Sequence, residues 1–427
     1  MKPNAFGRIL KTYPDVRRLW LGETISALGS NLFSIALMWY VFVRTGSGLA
    51  TGLVAVANFV PQVALGAWFG VLADRYNRQR IMVWGNVASA VCAGALALAV
   101  AARMTEVWPV YVATVLMGVA ATLYNPARAA IFPDIVPQED LLTTHALFHS
   151  SRQLARIVGA SVGGVAVAVW GAAPSMGLDL ITFLAAAVFV ARMRSPRSPS
   201  KHLSPPRASE RTQSARVAWH WMKQRPVLLV MGIIGMVSNI ALGPSNVLPP
   251  MLIRQTFHAS AASLGLFDAA IGMGIVAGGI IIGMLTINRM GLTMVCALAM
   301  EMAGLLGVTL SPNTLVADVG NFVLGVGLAT ANAPGETMMQ TIVPQELLGR
   351  VTSLTMMMSS FAIPITFGGV GLVGDALGPH MTFGLAAGLM AATVVAALMV
   401  PGIRAFRLDD HRVAPRKFEP NELSGSD

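Results

Sequence analysis

Runs of about twenty mostly apolar residues, each closed by a short polar stretch, recur along nearly the whole chain. A helix rising 1.5 Å per residue needs about that length to cross roughly 30 Å of hydrocarbon, and it satisfies its own backbone N–H and C=O groups on the way. The pattern predicts twelve such helices, near 19–43, 49–72, 81–102, 107–127, 145–169, 174–191, 226–252, 261–286, 291–309, 314–334, 350–374 and 380–402. Pro244, Pro249 and Pro250 interrupt the seventh run, and there the count is open by one. Pro61, Pro126, Pro244 and Pro364 mark expected bends.

The longest polar stretch, 193–225, divides the runs six and six. Its Ser, Pro and Arg content cannot bury a core, so it reads as a basic cytoplasmic linker between bundles at 1–192 and 226–403, with a cytoplasmic tail at 404–427. Trp219 and Trp221, at its end, fall where an interfacial anchor belongs. IVPQE occurs at 135–139 and again at 342–346, an offset of 207 that also carries Asn125 onto Asn332 and Gly164 onto Gly371. Each copy follows the fourth run of its half, which points to duplicated six-helix units.

Composition agrees with a membrane solvent: 55% of the 427 residues are hydrophobic and 12% charged, against about 25% charged in soluble domains. The net charge of +10 suggests nucleic acid only until the 30 Lys and Arg are placed. Twenty-five fall on the side that holds both termini, and only Arg44, Arg103 and Arg254 on the other. That asymmetry predicts cytoplasmic N- and C-termini and removes the case for nucleic acid. No cleavable signal peptide is visible, and Cys92 and Cys296 lie in apolar runs far from any second cysteine, so neither a disulfide framework nor a metal site is expected.

The most specific local signal is GVLADRYNRQR at 70–80, at the cytoplasmic end of the second run. It resembles the loop motif of the major facilitator superfamily, and the twelve runs, central linker and paired halves extend the resemblance over the whole chain. An all-α membrane protein of two pseudo-symmetric six-helix bundles is what that resemblance implies. It also implies a gating latch: Gly70 would permit close helix approach, Asp74 would make the charge contact across the halves, and Arg75, Arg78 and Arg80 would surround it. Asn77 and Gln79 depart from the motif, and the matching loop of the second half keeps only Asn288 and Arg289.

RRLWLGETISALGSNLFSIAL at 17–37, YNPARAAIFPDIVPQEDLLTTHAL at 124–147 and RIVGASVGG at 156–164 are similar to the bacterial exporter branch for macrolides and enterobactin. The resemblance implies a bacterial inner-membrane monomer that exports a small amphipathic compound, drug-like or siderophore-like, by alternating access. Protons and membrane lipids would be its other partners, and a proton gradient rather than any cofactor its energy source. The phrase at 124–147 is similar to lysophospholipid transporters as well, so lipid movement remains an alternative. Related antiporters carry Gly-Pro in the fifth span where this chain has Gly159-Ala160, and family members often have an acid at the place of Ser30.

An ionisable side chain at a helix centre costs about 2.5–3.5 kcal/mol on insertion scales, so function is the first hypothesis for each. The coupling and substrate candidates are Glu23, Arg128, Arg152, Arg156, Asp179 and Asp268, with Glu301, Asp318 and Glu336 also at membrane depth. Arg152 and Arg156 share a helical face and cannot both point to lipid, so at least one is expected to meet an acid or line water. Asn31, Asn58, Gln62, Asn125 and Asn239 offer hydrogen bonds to cargo or between helices. Gly272, Gly274, Gly278, Gly279 and Gly283 read as a packing surface, since no Lys-Ser or Lys-Thr follows to make a nucleotide loop. A membrane enzyme would need clustered ligands or a nucleophile with its base, whereas the seven histidines are scattered and only His145 and His149 share a face. A receptor that does not transport is the remaining alternative.

Overall fold

The computed structural model describes residues 5–194, 219–285, 287–401 and 406. A short helix, α1 (Ala5–Thr12), precedes six long ones: α2 (Pro14–Thr45), α3 (Gly48–Arg75), α4 (Arg78–Ala101), α5 (Trp108–Ile135), α6 (Gln138–Trp170) and α7 (Ala172–Ala191). The second half starts with α8 (Pro226–Ala241), α9 (Gly243–Val247), α10 (Pro249–Met251) and a π turn at Leu252–Thr256. It continues with α11 (Ala261–Met284), α12 (Met290–Thr309), α13 (Thr314–Ile342), α14 (Gln345–Phe361), α15 (Ile363–Leu377) and α16 (Pro379–Met399). No strand occurs among the described residues.

Eleven described helical passages are long and apolar enough to span, α14 and α15 counting as one over Leu347–Leu377, and α8 is a shorter apolar helix. The missing twelfth is the seventh crossing, which Pro244, Pro249 and Pro250 break into segments because each lacks the N–H of the helical ladder. Pro364 starts α15 in the same way, whereas α3 runs on through Pro61 and α5 through Pro126 and Pro133.

Polar caps and glycines end the helices at the two faces. At the face away from the termini, Gly46, Gly171 and Gly378 turn the chain at φ of 66°, 85° and 81°, a region open to glycine and strained for other residues. At the terminal face, the two departures from the 70–80 motif act as caps. The Asn77 side chain accepts from Arg80 N to start α4, and the Gln79 amide donates to the Val190 and Met193 carbonyls at the end of α7.

The repeated IVPQE has a matching structural part in each half. Val136 and Val343 adopt extended backbone between long helices and are buried, each in the cluster that closes its own half at the terminal face. α1 lies on the first of these clusters through Ile9, and Arg8 and Tyr13 both donate to Asp140. That carboxylate, accepting from the Tyr13 hydroxyl, pushes the phenol above its ordinary pKa. Trp221 is not an interfacial anchor: it is 2% exposed, packed with Met338, Val343 and Leu347, and the Arg225 guanidinium stacks 3.9 Å from its ring. The linker at 195–218 and the tail from 407 lie outside the described residues.

The halves meet along two seams, α3 with α15 and α6 with α11. The two glycines related by the 207-residue offset lie one in each seam. A Cβ built on Gly164 would stand 2.6 Å from the Ala261 carbonyl oxygen, and one on Gly371 2.6 Å from that of Gly48. Ala160, where related antiporters carry proline, is buried with its carbonyl against Gly265, and α6 runs unbroken past it.

Candidate functional site

Among the described residues, backbone contact between the halves lies toward the far face. Gly48 and Gly52 of α3 and Gly265 of α11 touch backbone of the opposite half. Toward the terminal face, a Cβ on Gly66, Gly70, Gly279 or Gly283 would meet nothing within 4 Å. The approach expected at Gly70 is therefore not made in this structure. The side chains of Asp74 and Arg75 lie outside the described ones. Arg78 pairs with Asp134 at 2.6 Å and donates to the Ala130 carbonyl, both on α5 of its own half, and Arg80 is exposed.

At the far face the seal is polar as well as steric. Asp375, near the end of α15, accepts from Ser47 Oγ at 2.6 Å, Gly48 N at 2.5 Å and Leu49 N at 3.0 Å. Those N–H groups are the unpaired donors of the first turn of α3, so a carboxylate from one half caps a helix of the other. Sequence reading passed over Asp375 because an acid at the end of a span looks like a solvated loop residue. Gln255 adds a bond to the Gly46 carbonyl at 3.4 Å.

Between the faces, the charged candidates fall into pairs. Glu23 on α2, 11% exposed, takes Arg128 of α5 at 3.3 Å and Arg152 of α6 at 3.4 Å, and the Tyr124 hydroxyl donates to its other oxygen at 3.4 Å. Arg156, one turn beyond Arg152, reaches Asp268 of α11 at 3.5 Å and so joins the two halves near mid-membrane. Both arginines of that face meet acids, where their spacing called for at least one to meet an acid or line water. Asp179 is fully buried between α2 and α7, with one oxygen bonded by Thr182 and the other without a partner.

Exchanging Glu23 for glutamine leaves Arg128 and Arg152 side by side without their shared acceptor. Breaking such a pair in a mostly buried site costs roughly 3 kcal/mol, so the apparent melting temperature in detergent should fall by several degrees. Removing Arg152 as well should restore part of that loss. An unchanged melting temperature for Glu23→Gln would show that the cluster contributes nothing net.

Two cavities open between these groups. The first, about 470 Å³, is lined chiefly by α2, α3, α4 and α5 of the N-terminal half and reached by Asn246 and Phe367 of the other. Its polar atoms are neutral, among them Ser30, Ser34, Asn58, Asn86 and Thr114. The second, about 490 Å³, lies among α8, α12, α13 and α14 and contains Glu301, Glu336, Asn239 and Asn332. Asn239 also donates to the Ser359 carbonyl across helices, Asn31 bonds its own helix at the Ala27 carbonyl, and Gln62 and Asn125 are exposed. Among the described residues no three His, Cys, Asp or Glu side chains come together as a metal site would require.

Residues 12–424 match the family described as transmembrane secretion effector. The chain is 23% identical over 399 residues to macrolide efflux protein A of Streptococcus pyogenes, covering 91% of this chain and 96% of that one. It is 27% identical over 402 residues to an enterobactin exporter of Citrobacter koseri, covering 92% and 90%. Among solved structures, a nucleoside transporter aligns with a TM-score of 0.73 at 11% identity, over 90% of this chain and 99% of that one. A bacterial homologue of the human lysosomal transporter Spinster, inward-facing and unoccupied, aligns with a TM-score of 0.68 at 12% identity, over 97% and 100%.

Proposed function

The chain belongs to the transmembrane secretion effector family of the major facilitator superfamily, and from that premise we propose that it exports small amphipathic compounds by alternating access, driven by a proton gradient. It is an efflux transporter and not an enzyme. The observation that carries alternating access is the unequal closure of the two faces: backbone contact and the Asp375 cap at the far face, open space around Gly66, Gly70, Gly279 and Gly283 at the other. With both termini in the cytoplasm, as the loop charges favour, this arrangement is inward-open.

In the opposite end point the open ends of α3 and α14 would come together. Asp74 would then take the place at the cytoplasmic face that Asp375 holds at the outer one, with Arg75, Arg78 and Arg80 about it. The Arg156–Asp268 pair and the Glu23 cluster lie where proton and cargo would compete for charge. Cargo of the macrolide or catecholate siderophore class fits the relatives; lysophospholipid movement gains no support from them. The chain would act as a monomer, since each half finds its partner within the same molecule.

Proteoliposomes with an imposed pH gradient test this reading. Concentrative flux of a macrolide or a catecholate should stop when a protonophore collapses the gradient. Accumulation that persists without any gradient would sink the coupling, and absence of flux for every amphipathic compound offered would sink export itself.

A further inference from the structure

We propose that the C-terminal half holds a subsite for an organic monocation, with the Glu301 carboxylate as its counter-charge and Glu336 at the mouth. This rests on the exporter reading and narrows the cargo class. Glu301 stands about 16 Å into the bilayer along α12, by its distance in sequence from Met290. It is 1% exposed, it lines the 490 Å³ cavity, and its Oε2 has no hydrogen-bond partner. Its stem lies against bare backbone of α13, where a Cβ on Gly327 would come within 2.9 Å of Glu301 Cγ.

The other acids of the cleft are already matched: Glu23 by Arg128 and Arg152, Asp268 by Arg156. The cavity, by contrast, holds two carboxylates and no Lys, Arg or His among its lining residues. A lone carboxylate out of water is costly unless a positive group joins it, and none stands among the described lining residues. A proton can neutralise it while the cavity is empty, and a cationic ligand that displaces that proton brings the matching charge.

The walls say what kind of cation. Met231, Met294, Met339 and Met356 give an adaptable, polarisable apolar surface, and Asn239 and Asn332 add neutral hydrogen-bonding groups. A hydrated divalent metal would find too few ligands there. A cavity of about this volume holds a drug-sized molecule, and an amphipathic ammonium or phosphonium satisfies both wall and carboxylate.

Equilibrium binding to the full-length protein in nanodiscs tests the assignment with two probes of similar bulk, cationic tetraphenylphosphonium and neutral triphenylphosphine oxide. Glu301→Gln should weaken phosphonium binding by about tenfold or more and leave the oxide within about twofold; Glu336→Gln should produce a smaller loss of the same sign. Glu301→Asp, which keeps the charge, should retain most of the affinity and carries the comparison if the glutamine variant does not elute as folded protein. Unchanged phosphonium affinity in Glu301→Gln, or equal weakening of both probes, overturns the subsite. A wild type that exports neutral cargo but does not bind phosphonium overturns it too while leaving the exporter reading intact. Phosphonium binding that Glu301→Gln weakens, in a protein that moves no compound across the bilayer, supports the subsite and overturns the exporter reading instead.

Discussion

Gly164→Val is expected to abolish export while the protein still inserts and folds. The added Cβ would sit 2.6 Å from the Ala261 carbonyl oxygen and 2.8 Å from Gly265 Cα, and backbone cannot swing aside as a side chain can. The α6–α11 seam would have to part by about 1 Å, and a close-packed interface does not absorb such a change gradually. The end point sealed at the far face is then lost, and a cycle missing one end point transports nothing. Flux in proteoliposomes should fall below about a tenth of wild type, on the scale of the several kcal/mol that backbone overpacking costs. Gly371→Val, its partner in the repeat, should do the same at the other seam. Gly388→Val, exposed on α16 outside both seams, is the control, since nothing lies within 4 Å of its added carbon. Wild-type flux in Gly164→Val would refute the role of the seam.

Asp375→Asn acts on the same closure through charge. The carboxylate accepts from three donors at the start of α3, and an asparagine offers one neutral acceptor in their place. The site is exposed, so the expected loss is about 1–2 kcal/mol, a shift of roughly 5–30-fold in the population of the far-sealed state. A cysteine introduced by Thr51→Cys, buried in the first turn of α3 while the face is sealed, should react faster with a membrane-impermeant thiol reagent in this variant, and the difference should shrink at high salt as screening weakens the native cap. Equal reactivity in the two backgrounds would show that Asp375 does not hold the face shut.

The architecture was legible because membrane burial writes itself into contiguous residues: each span is one apolar run, and the duplicated IVPQE and the offset glycines report a symmetry that needs no three-dimensional knowledge. The charged pairs were half legible. That at least one of Arg152 and Arg156 would meet an acid or line water followed from helical spacing, but that both meet acids, and which ones, depended on how α2 and α11 pack against α6. The two cavities were not legible at all, since the second draws Glu301, Asn239, Asn332 and Met356 from four helices scattered along the second half. Asn77 and Gln79 looked like defects in a motif and proved to be helix caps, because capping is decided by where a neighbouring helix ends.

The broken seventh crossing bears on how the protein is made. The 16 residues of α8 span roughly 24 Å, short of the hydrocarbon thickness, and the proline-rich turns that complete the passage cannot be stable in lipid alone. α8 packs on α14 and α16, which leave the ribosome near the end of synthesis. The opening span of the second half therefore finds its packing partners only once the last spans of the chain have been made.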